Sequence, residues 1–226
     1  MASTHEQART ATPPTYTDAS TQEVTAENGI EYAYRDVGDG DVPLVLLQHF
    51  RGNLEIALVR PDLLRRVVLA SSAPQGAAGM HGWAREVIGA VGTPETTPQG
   101  YISVFFAPTD TSREAGQQAA GRIFGARTTD RDEPTTWQTR QAQYDAVCAW
   151  GIPNHSLLQR VASIDLPVFV ANGDSDPMIL PRYSYLLAGL LPDARVKIYP
   201  DSAHGFLFQH HSEFAADVNA FLAEAS

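Results

Sequence analysis

Residues 166–211 constrain this chain more than any other stretch. Residues 168–171 and 195–199 read as two short buried strands, each running out into a loop that carries ionisable residues. Between them, after the turn signal at Pro181, Tyr185, Leu186, Leu187, Leu190 and Leu191 recur at helical spacing. The order strand, loop, helix, strand, loop is one βαβ unit, and such a unit pairs its strands in parallel. The first loop holds Asp174 and Asp176 and the second holds His204, so a carboxylate and an imidazole come to one edge of a sheet. A carboxylate that orients a histidine is two-thirds of a nucleophilic catalytic apparatus.

The rest of the chain is read outward from this unit. Residues 1–22 are rich in Ser, Thr, Ala and Pro and too poor in apolar side chains to offset their ordering entropy, so a tail is expected there. Residues 23–26 and 30–36 are two strands joined across Asn28-Gly29, a dipeptide that tolerates the positive φ of a tight hairpin. Residues 44–48 form a continuous apolar run of strand length, the pattern of a strand buried on both faces in a parallel sheet. A helical pattern interrupted by Pro61 follows, then a strand at 67–70. Only 14 residues, 53–66, separate Gly52 from Val67, room for a single crossover and no further strand. From 77 to 153 strand runs stop and four helical patterns follow, at 83–91, 100–106, 112–124 and 136–150, a helical insertion that reads as a lid over the strand ends or, alternatively, as simple packing against the sheet face. A short helix near 156–161 leads back into the sheet, and a final helix at 212–223 presents Phe214, Val218, Phe221 and Leu222 to it. The domain plan is thus a tail at 1–22, an α/β core from 23–76 and 154–226, and a lid at 77–153.

Composition excludes several partners. Sixteen Lys and Arg against 26 Asp and Glu give a net charge of −10 without a basic run, which argues against nucleic acid and anionic membranes. No apolar stretch reaches membrane-span length and no secretory signal pattern opens the chain, so a cytoplasmic location is expected. The single cysteine, Cys148, excludes an intrachain disulfide framework and reads as a small buried residue in a helix. His49, His204, His210 and His211 fit no zinc spacing; neither a metal nor another cofactor is expected. Arg65 and Arg66 read as a solvated helix end.

Four segments together resemble the α/β-hydrolase superfamily: the run at 44–48 followed by His49-Phe-Arg-Gly52, the stretch from Arg60 to Pro74, Gly173-Asp-Ser-Asp176, and Asp201-Ser-Ala-His-Gly205. The chain is similar to the lid-containing, cofactor-free esterase, haloperoxidase-like and epoxide-hydrolase-like members. The resemblance implies a mostly parallel sheet with helices on both faces, Asp176 as triad acid, His204 as base, and a backbone N–H of Phe50 or Arg51 in the oxyanion hole. It implies a small-molecule substrate or ligand.

The resemblance breaks where the family keeps its nucleophile. That residue sits in a G-x-S-x-G elbow after a strand that would lie between 44–48 and 67–70, and no G-x-S-x-G occurs anywhere in the sequence. About two central strands, roughly 60 residues, are missing at that point. Ser71 and Ser72, after the strand at 67–70, are the substitute nucleophiles to consider, but with no elbow helix behind them they read first as residues that end the strand in a loop. Asp174 reads as a turn residue bonded to its own backbone. The resemblance thus implies an ancestral ester-type hydrolase impaired by loss of its nucleophile. The alternatives are a non-catalytic ligand-binding protein, a homo-oligomer paired through open sheet edges, and an internally deleted form of an ordinary hydrolase.

Overall fold

The computed structural model describes residue 15 and residues 18–47, 54–76, 82–92, 97–125 and 135–224. The chain forms two compact units, one from residues 1–46 and 126–132 and one from residues 47–125 and 133–226. In the first, β1 (Gln22–Thr25) and β2 (Glu31–Tyr34) pair antiparallel in the register Gln22↔Tyr34, with Gly29 at φ 79° in the turn. The hairpin predicted across Asn28-Gly29 is present; Asn28 Oδ1 accepts the Ile30 N–H at 3.1 Å and braces the turn.

The buried strand expected at 44–48 is not there. Leu44, Val45, Leu46 and Leu47 carry no ladder and are 59, 70, 83 and 56% exposed, and Gln48 lies outside the described residues. An apolar run becomes a strand only beside a partner, and the 14-residue connection leaves no room for the strand that would stand between this run and 67–70.

The second unit carries the sheet. After α1 (Leu54–Val59) and a 3₁₀ turn (Pro61–Leu63) comes β3 (Val67–Ala70), and the helical stretch then supplies α2 (Arg85–Val91), α3 (Pro98–Phe105), α4 (Asp110–Gly125) and α5 (Trp137–Gly151). Then follow α6 (His155–Arg160), β4 (Val168–Gly173), α7 (Arg182–Leu190), β5 (Ala194–Tyr199), α8 (Phe206–Gln209) and α9 (His211–Ala223). The strands run parallel in the order β3-β4-β5, with Val67 opposite Val168 and Val168 opposite Ala194.

Alternation along the strands divides the core into two layers. Leu69, Val168 and Val170 face Ala57 of α1 and Leu187 and Leu191 in and after α7. Val68, Phe169, Ala171 and Tyr199 face Phe206 of α8 and Phe214, Val218, Phe221 and Leu222 of α9, the face foreseen for the last helix. β4 is buried at all six positions, as the central strand must be. The expectation of a buried strand at 195–199 fails in part: β5 is an edge, with Arg195 and Val196 exposed. Arg66 is also not a solvated helix end. Its side chain is 6% exposed, its guanidinium lies 5.1 Å from the Phe221 ring centroid, and it donates to the Glu224 carbonyl at 2.8 Å, so its stem and charge close the end of the sheet. Cys148 is half-buried rather than buried, beside Tyr144 on α5.

The exposed side of β5 is tied to α9 by charge. Lys197 Nζ donates to Asp217 Oδ2 at 2.6 Å and Glu213 Oε1 at 2.8 Å, and the Tyr199 hydroxyl donates to the same Asp217 oxygen. Desolvation raises the Asp217 carboxyl, but the Lys197 and Tyr199 hydrogen bonds outweigh it and hold the carboxyl below its ordinary range; those to Asp217 and Glu213 raise the Lys197 ammonium. A depressed carboxyl contributes stability above its unfolded value that is lost as pH falls through its folded value, and a raised ammonium contributes below its unfolded value and loses out as pH climbs through the folded one. Asp217→Asn is therefore expected to cost about 0.5–1 kcal/mol at neutral pH and to remove that part of the acid-side decline below about pH 4. Urea melts of both proteins at pH 7 and pH 3 check it; an equal penalty at both pH values contradicts it.

Candidate active site

Both predicted site residues sit on loops at the carboxyl ends of adjacent parallel strands. Asp176 follows β4, and His204 follows β5. Their side chains meet, with His204 Nδ1 2.8 Å from Asp176 Oδ2. Asp176 is completely buried, and its other oxygen, Oδ1, accepts the backbone N–H groups of Met178 at 2.8 Å and Ile179 at 2.9 Å. A carboxylate so surrounded is an acceptor only, so the imidazole carries its proton on Nδ1 and leaves the Nε2 lone pair free. The His204 side chain is 12% exposed, and its Nε2 has no protein hydrogen bond among the described residues.

Five further contacts hold the two loops in place. Asp174 does not bond its own backbone as expected: its carboxylate reaches across to the Asp201 N–H at 2.9 Å and the Ser202 N–H at 3.3 Å, besides accepting the Ser175 hydroxyl. Asp201, at φ 49°, adopts a left-handed turn that aspartate tolerates. The Ser175 N–H donates to Ser202 O at 2.9 Å, joining loop to loop directly. Gly205 donates its N–H to Phe105 O at 2.7 Å, and the Phe105 ring meets the imidazole edge-on at 5.1 Å, so α3 supports the histidine from the other side.

Asn172 is a site residue that sequence reasoning passed over, although a polar side chain within Val168-Phe-Val-Ala-Asn-Gly173 was a visible signal. It is fully buried, donates from Nδ2 to Ile179 O at 2.8 Å, and accepts from Gly173 N and Ser71 Oγ at 2.8 and 2.9 Å. One amide thereby links the end of β3 to the Asp176 loop.

The two candidate nucleophiles are placed differently from the histidine's needs. Ser71, at φ 44°, turns the chain out of β3 and directs Oγ to Asn172 Oδ1 and, at 3.2 Å, to the backbone carbonyl of His204. It touches the histidine's main chain and makes no bond to the imidazole. Ser72 is half-buried and also makes no bond to the ring. Other hydroxyls nearby are engaged: Ser202 with Tyr199 O, Ser112 with Gln209, Thr109 with Asp201. Phe50 and Arg51, predicted for the oxyanion hole, lie outside the described residues, as does His49. His210 and His211 each spend a ring nitrogen on a backbone carbonyl, Pro200 O at 3.0 Å and Phe208 O at 3.3 Å. Among the described residues no group of three His, Cys, Asp or Glu side chains is arranged to hold a metal.

Helices of the 85–151 stretch pack on these loops. Val87, Val104, Trp83 and Trp150 join Ala73, Met178, Ile179 and Tyr183 in one cluster. Trp83 Nε1 donates to Met178 O at 3.0 Å and Trp150 Nε1 to Ala73 O at 3.2 Å, fixing indoles that are apolar in body and polar at one edge.

A sequence model of the alpha/beta hydrolase fold matches residues 54–211, a span that contains both Asp176 and His204. The chain belongs to the α/β-hydrolase family. A solved alpha/beta hydrolase fold protein from Chitinophaga pinensis superposes with a TM-score of 0.81 at 27% identity, covering 92% of this chain and 99% of that one. Those two chains are closely similar in length. An alpha/beta fold family hydrolase from Bacillus anthracis str. Sterne (TM-score 0.54, 15% identity) and the enol-lactonase from Burkholderia xenovorans LB400 (0.52, 20%) share the fold over 74 and 75% of this chain. This chain spans only 62 and 60% of their lengths. This chain and the Chitinophaga pinensis chain are thus both shorter than those two hydrolases. Among the described residues no helix is long and apolar enough to cross a membrane.

Proposed function

We propose that this α/β hydrolase descends from an ester-type hydrolase and binds a small organic molecule at the Asp176–His204 edge without forming an acyl-enzyme. The observation that carries the reading is the imidazole itself: its Nδ1 is fully engaged by Asp176, and no described hydroxyl or thiol bonds its Nε2. Residues 48–53 and 77–81, which precede α1 and follow β3 in the sequence, contain no Ser, Thr or Cys. Covalent catalysis needs a nucleophile in hydrogen-bond reach of its base, and fold alone does not supply one. Residues 77–153 act as the lid of this site, a role favoured by the indole hydrogen bonds to the loops on which it rests. The near-equal length of the Chitinophaga pinensis chain favours a shortened protein that folds in its own right over an accidental internal deletion.

Incubation with a serine-reactive fluorophosphonate is expected to leave the intact mass of the protein unchanged. Stoichiometric modification, mapped to Ser71, Ser72 or any other serine, would overturn the reading.

A further inference from the structure

We infer that residues 44–47 are a docking strand, and that a second copy of this chain receives them, in parallel, on the outer edge of its β3. A single chain leaves two surfaces over. The first is the run Leu44-Val-Leu-Leu47, which carries no ladder and is between 56 and 83% exposed. It belongs to a larger apolar surface. From Val24 to Leu47 ten large apolar side chains are exposed, and no position of β1 or β2 is buried. Taking roughly 150 Å² for a whole side chain, they present on the order of 800 Å² per chain. That is about what each partner contributes to a stable interface of standard size. A two-stranded hairpin is marginal by itself, so covering this surface also steadies β1 and β2.

The second surface is the edge of the sheet, since β3 ends the order β3-β4-β5. The Val67 and Ser71 N–H groups donate to Pro167 O and Ala171 O, at 3.1 and 2.9 Å, so Val68 and Ala70 between them turn their backbone groups away from β4. Among the described residues no strand lies on that side. Such an edge is a template for one more strand. The composition of the run matches the place. Both faces of β3 are covered, Leu69 lying with Ala57 of α1, and Val68 and Ala70 with Phe206 of α8 and Phe221 of α9. A strand added beside β3 points alternate side chains into these two layers and must be apolar at every position, as 44–47 is. Charge sets the direction. Exposed Asp39 and Asp41 precede the run and exposed Arg65 precedes β3, so parallel pairing brings carboxylates beside a guanidinium. Antiparallel pairing would carry those carboxylates to the opposite end of the sheet, where Asp174 and Asp201 already stand. Each copy holds one run and one edge, so a two-fold dimer covers both runs and both edges and then closes.

The test is sedimentation velocity of the full chain from about 1 to 100 µM, with thermal melts. A dimer is expected. Val45→Lys combined with Leu46→Lys is expected to raise its dissociation constant at least about 100-fold. At concentrations where wild type is also monomeric the two proteins should melt together, because both side chains are exposed in the single chain. Asp41→Arg and Arg65→Asp are each expected to weaken the dimer about 10-fold. Mixing these two single variants should restore it, since in the mixed dimer both contacts pair opposite charges. A monomer throughout the range would overturn the inference, and a lower melting temperature of the double-lysine monomer would assign the run to its own chain instead. A dimer indifferent to both lysines, or one that the mixed variants do not restore, would overturn the pairing of run and edge.

Discussion

Asp176→Asn is expected to keep the fold and to lose the base. The atom that matters for folding is Oδ1, because it accepts the buried Met178 and Ile179 N–H groups. An asparagine can place its amide oxygen there and satisfy both. Its NH₂ then faces His204 Nδ1, two donors cannot share a hydrogen bond, and the imidazole must move its proton to Nε2. A ring protonated at Nε2 has its lone pair on Nδ1, turned toward residue 176, and none on Nε2 to accept a proton from water. The loss is expected to be on the order of 100-fold or more in any reaction that His204 catalyses, with a melting temperature within a few degrees of wild type. Asp176→Ala separates the two roles. It leaves two buried N–H groups without acceptors and opens a void, at an expected cost of about 3–5 kcal/mol. Nitrogen-15 shifts of the His204 ring read the tautomer directly, even where turnover is slow. An Asp176→Asn ring still protonated at Nδ1 would contradict this account.

The parts of the molecule that were legible in the sequence are those fixed by local pattern. The βαβ unit of β4, α7 and β5 was visible because period-2 and period-3.6 patterns alternate there, and because each strand ends in a Gly- or Pro-marked loop. The meeting of Asp176 and His204 followed from parallel pairing alone, since adjacent parallel strands end at one edge. Residues 44–47 were misread for the opposite reason. Apolar runs record what a segment could pair with, and the pairing depends on a neighbour that this chain has no length to supply. Arg66 was misread because a guanidinium's burial depends on a ring 155 positions away, at Phe221, and no local rule carries that distance. Asp174 was misread in partner rather than in place, as short polar side chains at strand ends choose among backbone groups brought in by other strands.

The same dependence on a neighbouring strand makes Gly173 the most sensitive glycine of the site. It is the last residue of β4, and a Cβ built on it falls 2.3 Å from Ala203 O and 2.4 Å from Ser202 O. Both are backbone atoms of the loop that leads into His204, so neither can rotate away as a side-chain tip would. That loop is also pinned to β4 by the Ser175 N–H on Ser202 O and by Asp174 on the Asp201 and Ser202 N–H groups. Gly173→Ala must therefore push the whole loop outward, breaking these bonds and carrying the imidazole off Asp176. The expected cost is about 3 kcal/mol or more, a fall of about 6–12 °C in melting temperature for a chain of this size. Gly189→Ala is the matched control. Gly189 lies on α7 with nothing within 4 Å of the place a methyl group would take, and alanine is the better helix former there by up to about 1 kcal/mol. One substitution type should thus lower the melting temperature at the end of β4 and raise it slightly on the helix that follows. A Gly173→Ala protein that melts with wild type, His204 ring shifts unchanged, would mean that the loop is not seated on β4 as closely as these distances require.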